Sequence, residues 1–153
     1  MGKLKTPAFL SKEITRLKDR GKKIVFTNGC FDILHPGHLK ILKQAKKFGD
    51  ILIVGLNSDL SVRKIKGKKR PILNEKARAQ ILEAIDIVDF IVLFKEATPY
   101  LLIKKIKPDI LVKGGDWKKQ DIVGNDIAGK VCRVKIYPGY STTAIINKIK
   151  RAG

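Results

Sequence analysis

Two histidines stand three residues apart in His35-Pro36-Gly37-His38, and the chain has no others. Imidazoles at this spacing have three uses open to them. They can hold a divalent metal with Asp32 as a third ligand, donate N–H groups to an anion, or serve as polar turn residues. The pair opens a segment of helical spacing, with apolar Leu39, Leu42, Ala45 and Phe48 before Gly49. A helix N-terminus offers unpaired N–H groups and the positive end of the dipole, so this position favours phosphate. Pro36 and Gly37 shape the turn so that both rings can face one side. Neither HExxH nor paired Cys/His spacing is present, which argues against a dedicated zinc site. Just upstream lies Asn28-Gly29-Cys30-Phe31-Asp32, where glycine permits close approach of backbone to a ligand. Cys30 has no base beside it and reads as a small buried residue rather than a nucleophile.

These residues need elements to position them. Residues 23–27 (KIVFT) read as a strand that ends where the histidine loop begins. Further strands are expected at 50–56, 90–94, 110–112 and 131–137, and helices at 11–20, 37–48, 58–65, 74–85, 98–106 and 142–151. Thr98-Pro99 reads as an N-cap with proline at the first helical position, and Ser141 as the cap of the last helix. Residues 114–130 are mixed, with a loop at Gly114-Gly115. Five apolar strands alternating with helices predict a doubly wound α/β fold, its parallel sheet covered by helices on both faces. In that class ligands bind beyond the carboxyl ends of the strands. The histidine loop, Asn57-Ser58 with 64–70, Lys113 to Trp117, and 138–143 all fall there.

Composition narrows the field. A length of 153 residues favours one domain, and 44% hydrophobic residues support a packed core. No apolar run reaches a membrane span of about 18 residues, and no signal core follows Met1 to Thr6, so a cytoplasmic protein is expected. Two cysteines without CxxC exclude a disulfide scaffold. Lys+Arg of 33 against Asp+Glu of 14 gives +19, which suits polyanionic ligands but also fits a solvated lysine surface. A nucleic-acid-binding role would need exposed stacking aromatics. With six Phe, three Tyr and one Trp, most Phe in expected strands or helices, no nucleic-acid partner is expected. GxGxxG and GxxxxGK[ST] are both absent, so neither the dehydrogenase nor the P-loop reading has support.

His35-Pro36-Gly37-His38 resembles the HxGH motif of the nucleotidyltransferase superfamily, and Gly29-Cys30-Phe31-Asp32 resembles the GxFD element that precedes it there. The resemblance covers most of the chain. Lys113-Gly114-Gly115-Asp116-Trp117 and Tyr140-Ser141-Thr142-Thr143-Ala144 are similar to segments of the bacterial heptose 1-phosphate adenylyltransferases, of which the stand-alone form is expected. Glycerol 3-phosphate cytidylyltransferases carry RTEGIST before the last helix. This chain has Tyr137-Pro138-Gly139-Tyr140-Ser141-Thr142 instead, which tilts the nucleotide from CTP toward ATP.

The resemblance implies a Rossmann-like fold and transfer of AMP from ATP to a heptose 1-phosphate for a surface glycan such as lipopolysaccharide. The alternatives it leaves are a polyol-phosphate cytidylyltransferase and an FAD synthetase-like adenylyltransferase. It implies His35, His38, Lys66 and Arg78 at the reacting phosphates. Asn28, Gly29, Cys30, Phe31, Asp32, Gly37, Lys113, Gly115, Asp116, Trp117, Tyr140, Ser141, Thr142 and Thr143 would border the nucleotide. Asn57, Lys64 and Arg70 would meet the acceptor. Asp116 suits ribose or sugar hydroxyls, while Trp117 suits a ring or the core. Mg²⁺ would come with the ATP phosphates, Asp32 either positioning it through water or orienting its own loop. A homodimer is common among related enzymes. No membrane partner is expected.

Overall fold

Runs of Ile, Val, Leu and Phe form the centre of the molecule. The computed structural model describes residues 2–153. Its strands are β1 (Ile24–Gly29), β2 (Ile51–Asn57), β3 (Phe90–Phe94), β4 (Ile110–Gly114) and β5 (Lys130–Val134). They form one sheet in the order β3-β2-β1-β4-β5, with every neighbouring pair parallel. The helices are α1 (Pro7–Asp19), α2 (Pro36–Lys46), α3 (Asp59–Lys66), α4 (Glu75–Glu83), α5 (Tyr100–Ile106) and α6 (Thr142–Ala152).

The two-residue period of the strands separates two core layers. Ile24, Phe26, Ile53 and Val92 face Leu10 and Ile14 of α1 and Leu102, Ile103 and Ile106 of α5. Val25, Leu52 and Val54 face Leu42 and Ala45 of α2 and Ala79 and Leu82 of α4. Each such fully buried aliphatic or aromatic side chain contributes about 1.5–3 kcal/mol relative to exposure. With both faces covered, the central strands lose the apolar–polar alternation of a half-exposed sheet, as their sequences predict.

From β1 the chain moves through β2 to β3, then returns to place β4 on the other side of β1. The reversal leaves a crevice above the carboxyl ends of β1 and β4. The histidine loop leaves β1 at this point.

Several boundaries differ from the sequence reading, three of them for evident local reasons. Helix α1 starts at Pro7, because the Thr6 hydroxyl caps it by accepting from the Phe9 N–H at 3.2 Å. Strand β5 stops at Val134 because its partner β4 ends there, Gly114 pairing with Val134. Helix α5 begins at Tyr100, not at Thr98-Pro99. Pro99 takes the N-cap position without a side-chain cap, its carbonyl accepting from Ile103 N–H at 2.9 Å, and Thr98 is left exposed. The mixed segment contains one 3₁₀ turn, Lys119–Asp121. Cys132 packs against the core layer on the α2 side, and both cysteines are free.

Candidate active site

A cavity of about 610 Å³ opens above the crevice. Its floor is the histidine loop. His35 is the N-cap of α2, and its Nδ1 accepts from the Gly37 N–H at 3.1 Å. His38 sits one turn on, and its Nδ1 accepts from the His35 N–H at 3.3 Å. The two rings therefore form a reciprocal capping box. They stack with centroids 3.9 Å apart. A ring nitrogen that accepts a hydrogen bond carries no proton, so each neutral ring keeps its proton on Nε2. That N–H is the donor left for a ligand. Burial, and then the neighbouring His35, push the His38 pKa down to about 4, and burial lowers His35 as well. Both rings are neutral donors near neutral pH.

This geometry corrects the expectation of free backbone N–H groups at the start of α2. Pro36 has none, Gly37 N–H goes to the His35 ring, and His38 N–H goes to the His35 carbonyl at 2.9 Å. The donors here are imidazoles. Gly37 is required by the close approach, since a Cβ there would lie 2.8 Å from His35 Cε1.

Asp32 anchors the loop. Its Oδ1 accepts from Leu73 N–H at 2.9 Å, and its Oδ2 accepts from Ile72 N–H at 2.8 Å and Arg70 Nε at 2.9 Å. Burial alone would raise this carboxyl, but these three donors hold it below the usual carboxylate range. Phe31 and Ile33 on either side have φ of 47° and 53°. Such conformations cost on the order of 1–3 kcal/mol each and persist only when surroundings impose them. Of the two roles open to Asp32, the structure shows loop orientation. The site does not fit a metal held by protein ligands. The Asp32 oxygens are committed, and among the described residues no group of three or more His, Cys, Asp or Glu could hold an ion.

Arg78, expected at the reacting phosphates, does not line the cavity. It is wholly buried. Its Nε donates to Leu73 O at 2.9 Å, Nη1 to Cys30 O at 2.6 Å and Asn57 O at 2.7 Å, and Nη2 to Asp59 Oδ1 at 2.8 Å. One guanidinium thus ties together the ends of β1 and β2 and the start of α4. Arg78 is a positioning residue. Lys64 is also outside the cavity, its Nζ turned toward Lys95 O at 3.4 Å. Gly115 and Asp116 do not line the cavity either. Gly115, at φ +109°, makes the turn that brings Trp117 to it, and its N–H ties to Val134 O at 2.9 Å.

The other predicted residues reach the cavity wall: Asn28, Gly29, Cys30, Phe31, Asp32, His35, Gly37, His38, Asn57, Lys66, Arg70, Lys113, Trp117, Tyr140, Ser141, Thr142 and Thr143. Their tasks differ. Asn57 is buried, and its Nδ2 donates to Ser61 Oγ at 2.9 Å. Burial pushes the Cys30 thiol up, as a non-nucleophilic residue requires, although Lys66 and Arg78 oppose the shift. Lys66 stands at the end of α3 before Gly67. Lys113 is half-buried with its Nζ 5.6 Å from the Trp117 ring, and burial lowers its pKa. Trp117 is 48% exposed, so it belongs to the site and not to the core. The Tyr140 ring faces His35 at 6.4 Å.

Ser141 caps α6 by accepting from Ala144 N–H at 3.0 Å, and Thr142 Oγ1 donates to Asp32 O at 2.6 Å. The amides of Thr142 and Thr143 begin the helix without intrahelical partners, as helix geometry dictates. The unpaired helix N-terminal N–H groups at this site therefore belong to α6. Sequence reasoning missed Ala97, Thr98 and Pro99 after β3, Asp121 at the end of the 3₁₀ turn, and Ile122 and Val123 after it, all of which line the cavity. Only the position of Asp121 downstream of a β4 loop could have suggested one of them.

A parallel sheet reversing at β1 and β4, with imidazole N–H donors, lysines and a helix N-terminus gathered above the reversal, makes a cavity suited to an anionic ligand. The chain belongs to the cytidylyltransferase-like family, whose model matches residues 26–148. It is 54% identical over 147 residues to the bifunctional protein HldE of Aliarcobacter butzleri, a match covering 96% of this chain and 31% of that protein. The chain thus spans about a third of the length of that curated relative. Among solved structures, a lipopolysaccharide core biosynthesis protein from Thermoplasma volcanium is 34% identical, with a TM-score of 0.65 over 76% of this chain and 99% of that one. Pantoate-beta-alanine ligase from Francisella tularensis shares the fold, with a TM-score of 0.67 at 18% identity over 99% of this chain and 78% of that one.

Proposed function

We propose that the protein transfers AMP from ATP to a heptose 1-phosphate, releasing pyrophosphate and forming an ADP-heptose for lipopolysaccharide or a related glycan. The observation that carries this reading is the pair of Nε2–H donors held by the capping box beside Lys66, Lys113 and the start of α6. The site is rich in donors and cations, and Cys30, its one thiol, is held in its neutral form. Such an inventory suits phosphoryl chemistry, in which positioning and charge neutralisation do most of the work.

A sugar phosphate oxygen is already ionised near neutral pH and needs no general base. It attacks the α-phosphorus of ATP in line, the Pα–O bond to pyrophosphate breaks, and the leaving pyrophosphate takes the electron pair. His35 and His38 donate to the oxygens that gather charge. The Thr142 and Thr143 amides receive the distal phosphates. Lys66 and Lys113 offset negative charge on the approaching acceptor, with Arg70 beside them. Trp117 and Tyr140 offer ring surfaces to the nucleoside. Magnesium accompanies the triphosphate as its counterion.

ATP is favoured over CTP because the stretch Tyr137-Pro138-Gly139-Tyr140-Ser141-Thr142 lacks the arginine and glutamate that the glycerol 3-phosphate cytidylyltransferases carry before the last helix. No helix among the described residues is long and apolar enough to cross a membrane. The reading places the enzyme in the cytoplasm, with a homodimer expected from the resemblance alone.

Pyrophosphate release tests the reading. The assay pairs ATP or CTP with both anomers of a heptose 1-phosphate, glycerol 3-phosphate and FMN. Release with ATP and one heptose anomer is expected. Release only with CTP and glycerol 3-phosphate would keep the reaction type and overturn the substrates.

A further inference from the structure

The transfer chemistry leaves one wall of the cavity without a task. The loop after β3 brings Thr98 to this wall, and the 3₁₀ turn after β4 brings Asp121, with Ile122 and Val123 beside it. Pro99 caps α5 and Ile122 packs in the core layer of α1 and α5. The wall therefore stands on the opposite face of the sheet from α2 and its histidines.

Its chemistry differs from the rest of the cavity. Lys66, Arg70 and Lys113 supply positive charge elsewhere, while these segments bring a hydroxyl, a carboxylate and apolar side chains, and no cation. Asp32 and Asp121 are the two carboxylates lining the cavity, and the oxygens of Asp32 are committed to three donors. Among the described residues no ion pair or side-chain hydrogen bond engages Asp121, although Lys118 and Lys119 precede it. A free carboxylate repels a triphosphate, so electrostatics does not account for its place in an anion site. It is suited to the uncharged part of a ligand. A carboxylate accepts hydrogen bonds from two adjacent hydroxyls at once, and apolar neighbours pack against the carbon skeleton that bears them.

We propose that Thr98 and Asp121 form a subsite for the hydroxyl-bearing carbon chain of the acceptor, with Asp121 accepting from vicinal hydroxyls and Ile122 and Val123 packing against the carbons. This rests on the adenylyl-transfer reading above. The ribose of ATP also carries a vicinal diol. The ring surfaces suited to its base, Trp117 and Tyr140, follow β4 and β5, and Tyr140 faces His35 on the α2 side. The opposite wall is therefore assigned to the acceptor.

Steady-state kinetics on Asp121→Ala, Asp121→Glu and Thr98→Val separates the two diols, with each substrate varied against saturating amounts of the other. In Asp121→Ala, KM for the heptose 1-phosphate rises about tenfold or more, as loss of hydrogen bonds to a charged group predicts. KM for ATP stays within about twofold, because no phosphate or base contact is touched. Asp121→Glu recovers part of the loss. Thr98→Val shows the same pattern to a smaller degree. An unchanged acceptor KM in Asp121→Ala overturns the subsite, and a rise confined to the ATP KM assigns the wall to ribose and overturns it equally. A wild-type protein inert toward every sugar 1-phosphate overturns the proposed function and this subsite with it, before any variant is compared.

Discussion

The histidine pair is controlled by two hydrogen bonds, one accepted by each ring. Because Nδ1 of His35 and of His38 is an acceptor, the ring proton of each sits on Nε2 without any carboxylate to orient the ring. Replacing His38 by Ala removes one donor from the cavity, which the proposed function assigns to the reacting phosphate, and the acceptor for the His35 N–H. A fall in kcat of about 10²–10³-fold is expected, the range seen when one such donor is lost. Gly37→Ala acts indirectly, because its added Cβ would lie 2.8 Å from His35 Cε1 and displace the ring, and kcat/KM falls at least about tenfold with the fold retained. The depressed histidines also set a pH signature. His38 has a folded pKa of about 4, below the unfolded value of 6.5, so between these limits the unfolded chain binds more protons. Stability therefore falls as pH drops through that window. Thermal melts of wild type should lose Tm from pH 6.5 to pH 4, and His38→Asn should flatten that slope. A slope unchanged in His38→Asn would contradict the assigned burial. Asp32, with its folded pKa depressed, loses its contribution only at lower pH, as the folded carboxylate takes up its proton.

Among the elements, the loops above the sheet are held by buried polar ties. Arg78 spans the ends of β1 and β2 with four hydrogen bonds, and Asp32 joins the histidine loop to Arg70, Ile72 and Leu73. Arg78→Met leaves buried carbonyls unpaired and Asp59 without its cation. A loss of about 3–5 kcal/mol is expected from such a break. At about 2–4 °C per kcal/mol for a chain of this size, Tm should drop by roughly 6–20 °C. Calorimetry checks this, and a stable variant with only a raised KM for ATP would instead return Arg78 to the phosphates. The same elements show what the sequence could reveal. The five strands were legible because apolar runs of five to seven residues have few other uses, and the histidine loop because its residue types have chemistry. Arg78 was legible as a position but not as a direction, since sequence does not tell whether a guanidinium points into a cavity or beneath it. Thr98 and Asp121 were invisible as site residues. Both reach the cavity from segments far apart in the chain, and nothing in either local sequence encodes that shared place.

For the molecule as a whole, the +19 charge gives phosphorylated ligands a favourable field. Most of the lysines stand away from the cavity, which Lys66 and Lys113 line. Raising ionic strength from about 0.05 to 0.5 M should therefore raise KM for ATP several-fold while kcat changes little, because salt screens approach more than it disturbs buried contacts. Neutralising Lys104 and Lys105 on α5, remote from the cavity, should leave kcat and both KM values at wild-type levels. A KM for ATP insensitive to salt would mean that the charge serves the surface rather than the substrate. The central claim is that this site cleaves ATP between the α- and β-phosphorus atoms and joins AMP to a sugar phosphate. The most direct measurement is ³¹P NMR of the protein with ATP, Mg²⁺ and a heptose 1-phosphate. The account predicts growth of pyrophosphate together with the two coupled resonances of a mixed diphosphate ester. Appearance of ADP with a doubly phosphorylated sugar, or persistence of intact ATP with every acceptor, would contradict it.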